Sequence, residues 1–396
     1  MPAQRTFSAV TKKRSSPEPA VAGAVKTPRD ICRAETVGSL LRPPDLLAAR
    51  QAAAHGRITR EELRQAEDRA VMEAVRVQEA AGLDVVTDGE MRRGSWAVTT
   101  EALEGFELRP GGPGLVWRGQ GKGEAPPAVS DGYPTVVRPI SERRRLAGEY
   151  AFLAACAHAR TKYSLPAPSY HRRFWYPEHS AGAYPTVEAF LTAVRDYERR
   201  LITDLVALGC DYVQLDAPNY GSLCDAEYRR HCAAQSRDLD AELAFDADLD
   251  SSVFEGFSGT RALHVCRGNA AGRWHSSGGY AVIAELLFPA LDVDVLLLEY
   301  DSDRAGDFQP LTLVRKGTIA VLGLLTTKSG AVEDEEAIRG RLEEAGRVKP
   351  LEELAVSPQC GFASVAIGNP VTLEEQQAKL ELVGRVARAV WGPRGS

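Results

Sequence analysis

No stretch of the 396-residue chain approaches the ~20 consecutive apolar residues that a membrane-spanning helix needs. It also lacks a basic excess. With 48 Lys and Arg against 54 Asp and Glu, the net charge is -6, which excludes a general nucleic-acid or anionic-membrane binder. It lacks a disulfide framework too, since seven cysteines, an odd number scattered along a long chain, read as reduced thiols or metal ligands. The N-terminal stretch has no apolar core of the secretory type, so a cytoplasmic location is expected. The GQGKG segment lacks the features of a phosphate loop: Val116 stands where a Gly is required, and no Ser or Thr follows Lys122. These absences leave small-molecule chemistry.

What is present is enough apolar material for a large core, at 44% hydrophobic residues. Residues 1–32 mix Lys, Arg, Ser, Pro and Ala without apolar periodicity, so a flexible basic tail is expected, with Lys12, Lys13 and Arg14 solvated. From about residue 34 the pattern alternates between strand and helix. AETVGSLL and DVVTDGE read as strands, and between them Thr59 caps a helix, Glu62 completes a capping box and Gly82 ends it. KYSLPAP, DYVQLDAP, RALHVC, DVLLLEYD, TIAVLGLL and LAVSPQ read as further strands, most of them followed by helical text, including a long helical stretch from about Asp225. About eight such units predict an α/β protein with a single (β/α)8 TIM barrel over residues 33–396. The Gly- and Pro-rich stretch 103–140 reads as an inserted hairpin with loops.

In such a barrel the chemistry collects at the C-terminal ends of the strands. The polar residues ending each apolar run are Gly38 and Ser39, Asp88 and Glu90, Asp216, His264 and Cys266, Glu299 and Asp301, Lys328, and Cys360. His264 and Cys266, two apart on an extended segment, point to one side. With Glu299 and Cys360 they make a ligand set drawn from three strand ends, and imidazole and thiolate donors of this kind suit tetrahedral Zn2+. Each of the four has a plainer reading when taken singly: a core histidine, small buried thiols, a carboxylate paired with Arg304. A second trio, Cys224, His231 and Cys232, lacks a common helical face for ligation.

The motifs VGSLLRP (37–43), GLDVVTDGEMRRG (82–94), YVQLDAP (212–218), HVCRGN (264–269), LEYD (298–301), LGLLTTKSG (322–330) and SPQCGF (357–362) occur in order. In them the chain resembles the catalytic barrel of the cobalamin-independent methionine synthase family. The resemblance implies catalytic zinc on His264, Cys266, Glu299 and Cys360. It also implies a thiol-bearing amino acid, homocysteine in the synthases, held by Gly38, Ser39, Glu90 and Asp216, with the carboxylates on its ammonium group. The chain departs from the synthases at three positions: Lys328 stands where they place a histidine, Ala217 replaces the acid of their IDEP signature, and Ser222 replaces a further acid. The wording CRGN, GGY, EYDSDRAGDF and SPQCGF is closer to the single-barrel branch that includes epoxyalkane:coenzyme M transferase.

The expected function is zinc-dependent transfer of an alkyl group, methyl in the first instance, to homocysteine or a related thiol, with Lys328, Asp216 and Glu90 as catalytic candidates. The alternative is an epoxide-opening thiol transferase or another carbon–sulfur enzyme. A metal-free barrel like the uroporphyrinogen decarboxylases and a catalytically silent zinc-binding scaffold are the rivals. The expected partners are a small thiol and an alkyl donor, without nucleic acid or membrane, and a homo-oligomer is compatible. Arg267, Arg273 and Arg304 are candidate anion ligands, and Trp96, Tyr170, Trp175 and Tyr176 are candidate walls of the acceptor pocket.

Overall fold

A parallel sheet covered on both faces is built from runs that are apolar at every position, because neither face meets water. The computed structural model describes residues 32–110, 116–119, 121 and 133–393. Among them the strands are β1 Val85–Val86, β2 Leu103–Arg109, β3 Tyr133–Glu142, β4 Arg160–Thr161, β5 Tyr163–Pro166, β6 Tyr212–Asp216, β7 Thr260–Val265, β8 Val295–Glu299, β9 Ile319–Leu325 and β10 Leu354–Pro358. Six of them form one all-parallel sheet in the order β10-β9-β8-β7-β6-β5. Every residue of β6, β8, β9 and β10 is buried. β1 pairs in parallel with β4. This is the expected α/β architecture.

The crossovers are amphipathic helices. Val187–Ala207, between β5 and β6, buries Phe190, Leu191, Val194, Leu201, Ile202 and Leu205 on one stripe and is capped by Thr186, whose side chain accepts from Ala189 N. Each such Leu or Ile, fully buried, stabilises the fold by roughly 1.5–3 kcal/mol, so the stripe outweighs the cap, which contributes about 1 kcal/mol. Arg60–Ala80 begins with the predicted Thr59–Glu62 capping box, and Gly82 follows it at φ +78°. No helix among the described residues is long and apolar enough to cross a membrane.

Three expectations need correction. AETVGSLL is not a strand; only Ala34 forms a bridge, to Val356. The backbone N–H groups of Arg33 and Ala34 donate instead to Asp84 Oδ2, at 2.7 and 2.9 Å. DVVTDGE is extended only at β1, because Gln78 takes over the next ladder position: its Oε1 accepts from Thr87 N at 3.0 Å and its Nε2 donates to Thr87 O at 2.8 Å. The long helix from Asp225 is two helices, Ala226–Ala234 and Leu239–Ser252, broken where Ser236 adopts φ +56° and Asp238 caps the second by accepting from Ala241 N. The basic tail at 1–31 and most of the GQGKG segment lie outside the described residues.

The insertion expected at 103–140 contains the antiparallel hairpin β2–β3, which extends to Glu142. Gly105, at φ +111°, makes the bulge in β2, where an added Cβ would meet Arg138 O at 2.8 Å. Phe106 and Val136 of the hairpin pack with Phe174 and Phe190. That contact fixes the 3-10 helix Pro168–Phe174, which follows β5 and forms one wall of the site.

A polar chain threads the sheet below the site. Lys162 Nζ, fully buried, donates to Glu35 Oε2 at 2.5 Å and to Gln214 Oε1 at 2.8 Å. Gln214 Nε2 in turn donates to Asp216 Oδ1 at 2.7 Å. A buried pair of this kind persists only with its remaining groups satisfied, and Tyr212 OH supplies a donor to Glu35.

Candidate functional site

Parallel register brings the strand ends level: Asp216 stands beside His264, and Glu299 beside Gly323, which also neighbours Ser357 of β10. Cys266 follows directly on β7, and Cys360 lies two residues past the end of β10. One donor atom from each of His264, Cys266, Glu299 and Cys360 lies within 4.8 Å of all the others, the one such group among the described residues. The Cys266 and Cys360 Sγ atoms are 3.7 Å apart. Both ring nitrogens of His264, and Glu299 Oε2, are buried without a hydrogen-bond partner. Leaving such groups unpaired costs about 1–3 kcal/mol each, a cost that a cation among the four donors would remove. The other Glu299 oxygen accepts from Arg267 N at 2.8 Å, and Gly268 N donates to Cys266 Sγ at 3.3 Å. One nitrogen, two sulfurs and one oxygen suit a divalent transition-metal ion.

The electrostatics are those of a shared proton. The neighbouring Cys266 thiol, then His264 and Lys328, hold Cys360 well below the usual thiol range against the effect of burial. Cys266, hydrogen-bonded to that thiolate and buried, is pushed well above it. Burial would lower His264, but the Cys360 thiolate, Asp216 and Glu299 raise it. Burial raises Glu299, with Lys328 opposing.

Surrounding groups clamp the four donors. Tyr280 OH accepts from Glu299 N at 2.9 Å and lies 3.3 Å from Glu299 O, and it also contacts Val265 O, so one phenol ties the ends of β7 and β8. Asn269 Nδ2 donates to Gly361 O at 2.6 Å, and Asn369 Nδ2 donates to Asn269 Oδ1 and Thr327 O. These bonds tie the loops after β7, β9 and β10. Gly361 approaches Ser39 so closely that an added Cβ would lie 2.0 Å from Ser39 Oγ.

The cluster borders a cavity of about 170 Å³. Ser39, Glu90, Asp216, His264, Cys266 and Cys360 line it together with Trp96, Trp117, Tyr170, Arg173 and His275. Glu90 is held at φ +57°, its Oε1 accepting from Ser164 Oγ at 3.2 Å, 3.8 Å from Arg93 Nη1 and close to Gly38. Burial, only partly offset by Arg93 and Arg42, pushes Glu90 up to about 7, and burial pushes Asp216 up to about 6. Asp88 turns inward to accept from Glu90 N at 2.8 Å.

Other sequence candidates fall elsewhere. Lys328 Nζ is buried without a hydrogen-bond partner and does not border this cavity. Asp301 pairs with Arg304 at 3.1 Å, which leaves Glu299 free for the cluster. Arg267 stacks on Tyr280 and donates to Gly278 O and Arg304 O, and neither it, Arg273 nor Arg304 lines the cavity. Trp175 and Tyr176 line a second cavity. His231 is exposed and Cys224 buried, so that trio does not gather. Sequence reasoning did not single out Tyr280, Asn269, Asn369, Arg173 or His275, although Asn269 stands in the motif HVCRGN, Tyr280 in GGY and Arg173 in YHRRFWYPEHS.

A family model described as the catalytic domain of cobalamin-independent synthase matches residues 33–112 and 260–387, the segments that carry all four clustered donors. Uncharacterized protein YxjH of Bacillus subtilis is 35% identical over 364 residues, covering 91% of this chain and 94% of the relative. A methionine synthase of Sulfurisphaera tokodaii is 25% identical over 329 residues, covering 82% of this chain and 84% of the relative. A Listeria monocytogenes structure described as a vitamin-B12-independent methionine synthase superposes with a TM-score of 0.69 at 29% identity, covering 91% of this chain and 98% of that one. The chain belongs to the cobalamin-independent methionine synthase family.

Proposed function

We propose that the protein transfers a methyl group to the thiol of homocysteine or a closely related amino acid, at a Zn2+ ion held by His264, Cys266, Glu299 and Cys360. The observation that carries this reading is the convergence of these four donors within 4.8 Å, with the His264 nitrogens and Glu299 Oε2 unpaired and buried. Zn2+ bound there would supply Lewis acidity that keeps an acceptor thiol deprotonated yet nucleophilic. Glu90 and Asp216 receive the ammonium group of the acceptor, and the Gly38–Ser39 turn orients its other end. Lys328 adds positive charge beside Glu299 and Cys360, offsetting a donor set rich in anions. The apolar and aromatic part of the cavity excludes water from the reacting thiol, so that the electrophile meets sulfur rather than solvent.

We further propose that residues 33–396 form one closed barrel. Supporting it, Asp84 N donates to Ala34 O at 2.7 Å and Lys162 N to Val86 O at 3.0 Å. With the Ala34–Val356 bridge and the β1–β4 pair, these bonds run between the two edges of the six-stranded sheet.

The test is metal analysis combined with cobalt substitution. Near one zinc per chain is expected, lost in Cys266→Ala and Cys360→Ala, and homocysteine should change the visible absorption of the cobalt-substituted protein. A zinc-free protein with full transferase activity would overturn the mechanism.

A further inference from the structure

Arg173 sits in the 3-10 helix Pro168–Phe174, and it lines two cavities at once: the one containing the donor cluster and a second of about 420 Å³. Tyr170 is the other residue common to both linings, and the Arg173 guanidinium lies 4.3 Å over its ring. The carboxylates of the second cavity already have cationic partners. In the second cavity Arg172 takes Asp246 at 2.5 Å, and Arg237 takes Glu242 at 2.5 Å. In the first, Glu90 faces Arg93. Among the described residues no carboxylate lies within ion-pair distance of Arg173, and the groups around it are Tyr133, Tyr170, Tyr228 and His275. His275 is no counter-charge, since burial and then the Arg173 cation push it down to about 3, and it stays neutral.

Arg173 is half-buried, and a guanidinium held against aromatic rings with no carboxylate partner keeps its donors open to an anion entering either cavity. Its planar fork matches an oxyanion such as a carboxylate, phosphate or sulfonate. We propose that Arg173 is the anion-recognition residue for the alkyl donor, gripping an oxyanion of the donor at the junction of the two cavities while the donor's electrophilic carbon reaches toward the cluster. The amino-acid acceptor has its own charged partners in Glu90 and Asp216, and the second cavity adds room that a small thiol does not need. This inference rests on the alkyl-transfer reading above; it adds that donors without an anionic group are poor ones.

The probe is inorganic sulfate, titrated into the zinc-loaded full chain and followed by the emission of Trp96, Trp117 and Trp175. Saturable binding is expected in the wild type, weakened at least tenfold, as loss of a charge-assisted hydrogen bond implies, in Arg173→Gln and less so in Arg173→Lys. No saturable response in the wild type, or equal affinity in Arg173→Gln, overturns the proposal. The homocysteine-induced change in the cobalt-substituted spectrum is recorded alongside. Homocysteine binding untouched by sulfate supports the donor assignment, whereas competition between them makes the acceptor's carboxylate the occupant and overturns it. Loss of the homocysteine response with sulfate binding intact overturns the alkyl-transfer reading instead, while loss of sulfate binding alone removes only the role of Arg173. A preserved cobalt spectrum in Arg173→Gln also shows that the variant is folded.

Discussion

The sulfur atoms of Cys266 and Cys360 face each other at 3.7 Å across 94 positions of sequence, within hydrogen-bonding distance, with Cys360 held low in pKa by its neighbours and Cys266 pushed up. A thiolate this close to a second sulfur is poised for oxidation once no cation holds the pair apart. Chelation in air is therefore expected to join Cys266 to Cys360, with two hydrogens lost to oxygen, whereas the metal-loaded protein keeps both thiols reduced. Peptide mass mapping that finds both thiols free after chelation would contradict the arrangement.

Tyr280→Phe removes the oxygen that accepts from Glu299 N and ties the ends of β7 and β8. The orphaned N–H is buried, so a loss of about 1–3 kcal/mol in unfolding free energy is expected. Metal affinity should fall about 10- to 100-fold, as for other groups that orient ligands. Urea unfolding and metal competition measure the two effects, and an unchanged affinity would show that β8 places Glu299 unaided.

Glu90→Gln should be stabilising at alkaline pH. Burial raises Glu90 from the ordinary 4.5 to about 7, against Arg93 and Arg42 and with Asp216 and Asp88 adding to the rise. Between those values the folded state binds the extra proton, so its stability relative to the unfolded chain falls as pH rises through this range. The neutral amide escapes that loss. Its advantage should be small at pH 5 and full by pH 8, at most about 3 kcal/mol from the size of the shift. Unfolding curves at the two pH values that differ equally from wild type would refute this ionisation.

Gly361→Ala puts a methyl group where Ser39 Oγ already lies, 2.0 Å away. Either the Gly38–Ser39 turn or the Cys360 loop must shift. The expected outcome is zinc affinity lowered about 10-fold or more, partly recovered by a compensating Ser39→Gly, which removes the clash. Failure of the second change to help would mean that the strain resides elsewhere.

The donor cluster was legible because each ligand ends an apolar run, and strand ends in a parallel sheet converge whatever the helices between them do. The first two strands were overestimated for a local reason: Asp84 and Gln78 side chains capture backbone groups that the pattern assigned to a ladder. The break at Ser236 depends on one left-handed residue among good helix formers. The role of Arg173 is not legible in the segment YHRRFWYPEHS (170–180), because its two adjacent arginines are alike in sequence, and only tertiary packing gives Arg172 its acids and leaves Arg173 without.

Because Cys360 follows Cys266 by 94 positions, a ribosome releases half of the ligand set long before the rest exists. An emerging chain exposes His264, Cys266 and then Glu299 with no second thiolate to complete them. Capture of an ion by all four donors would have to wait until β10 docks along β9. Under the proposed metal-binding reading, occupancy would report that synthesis has run past the last strand and that the sheet has assembled, and prematurely terminated products would remain empty.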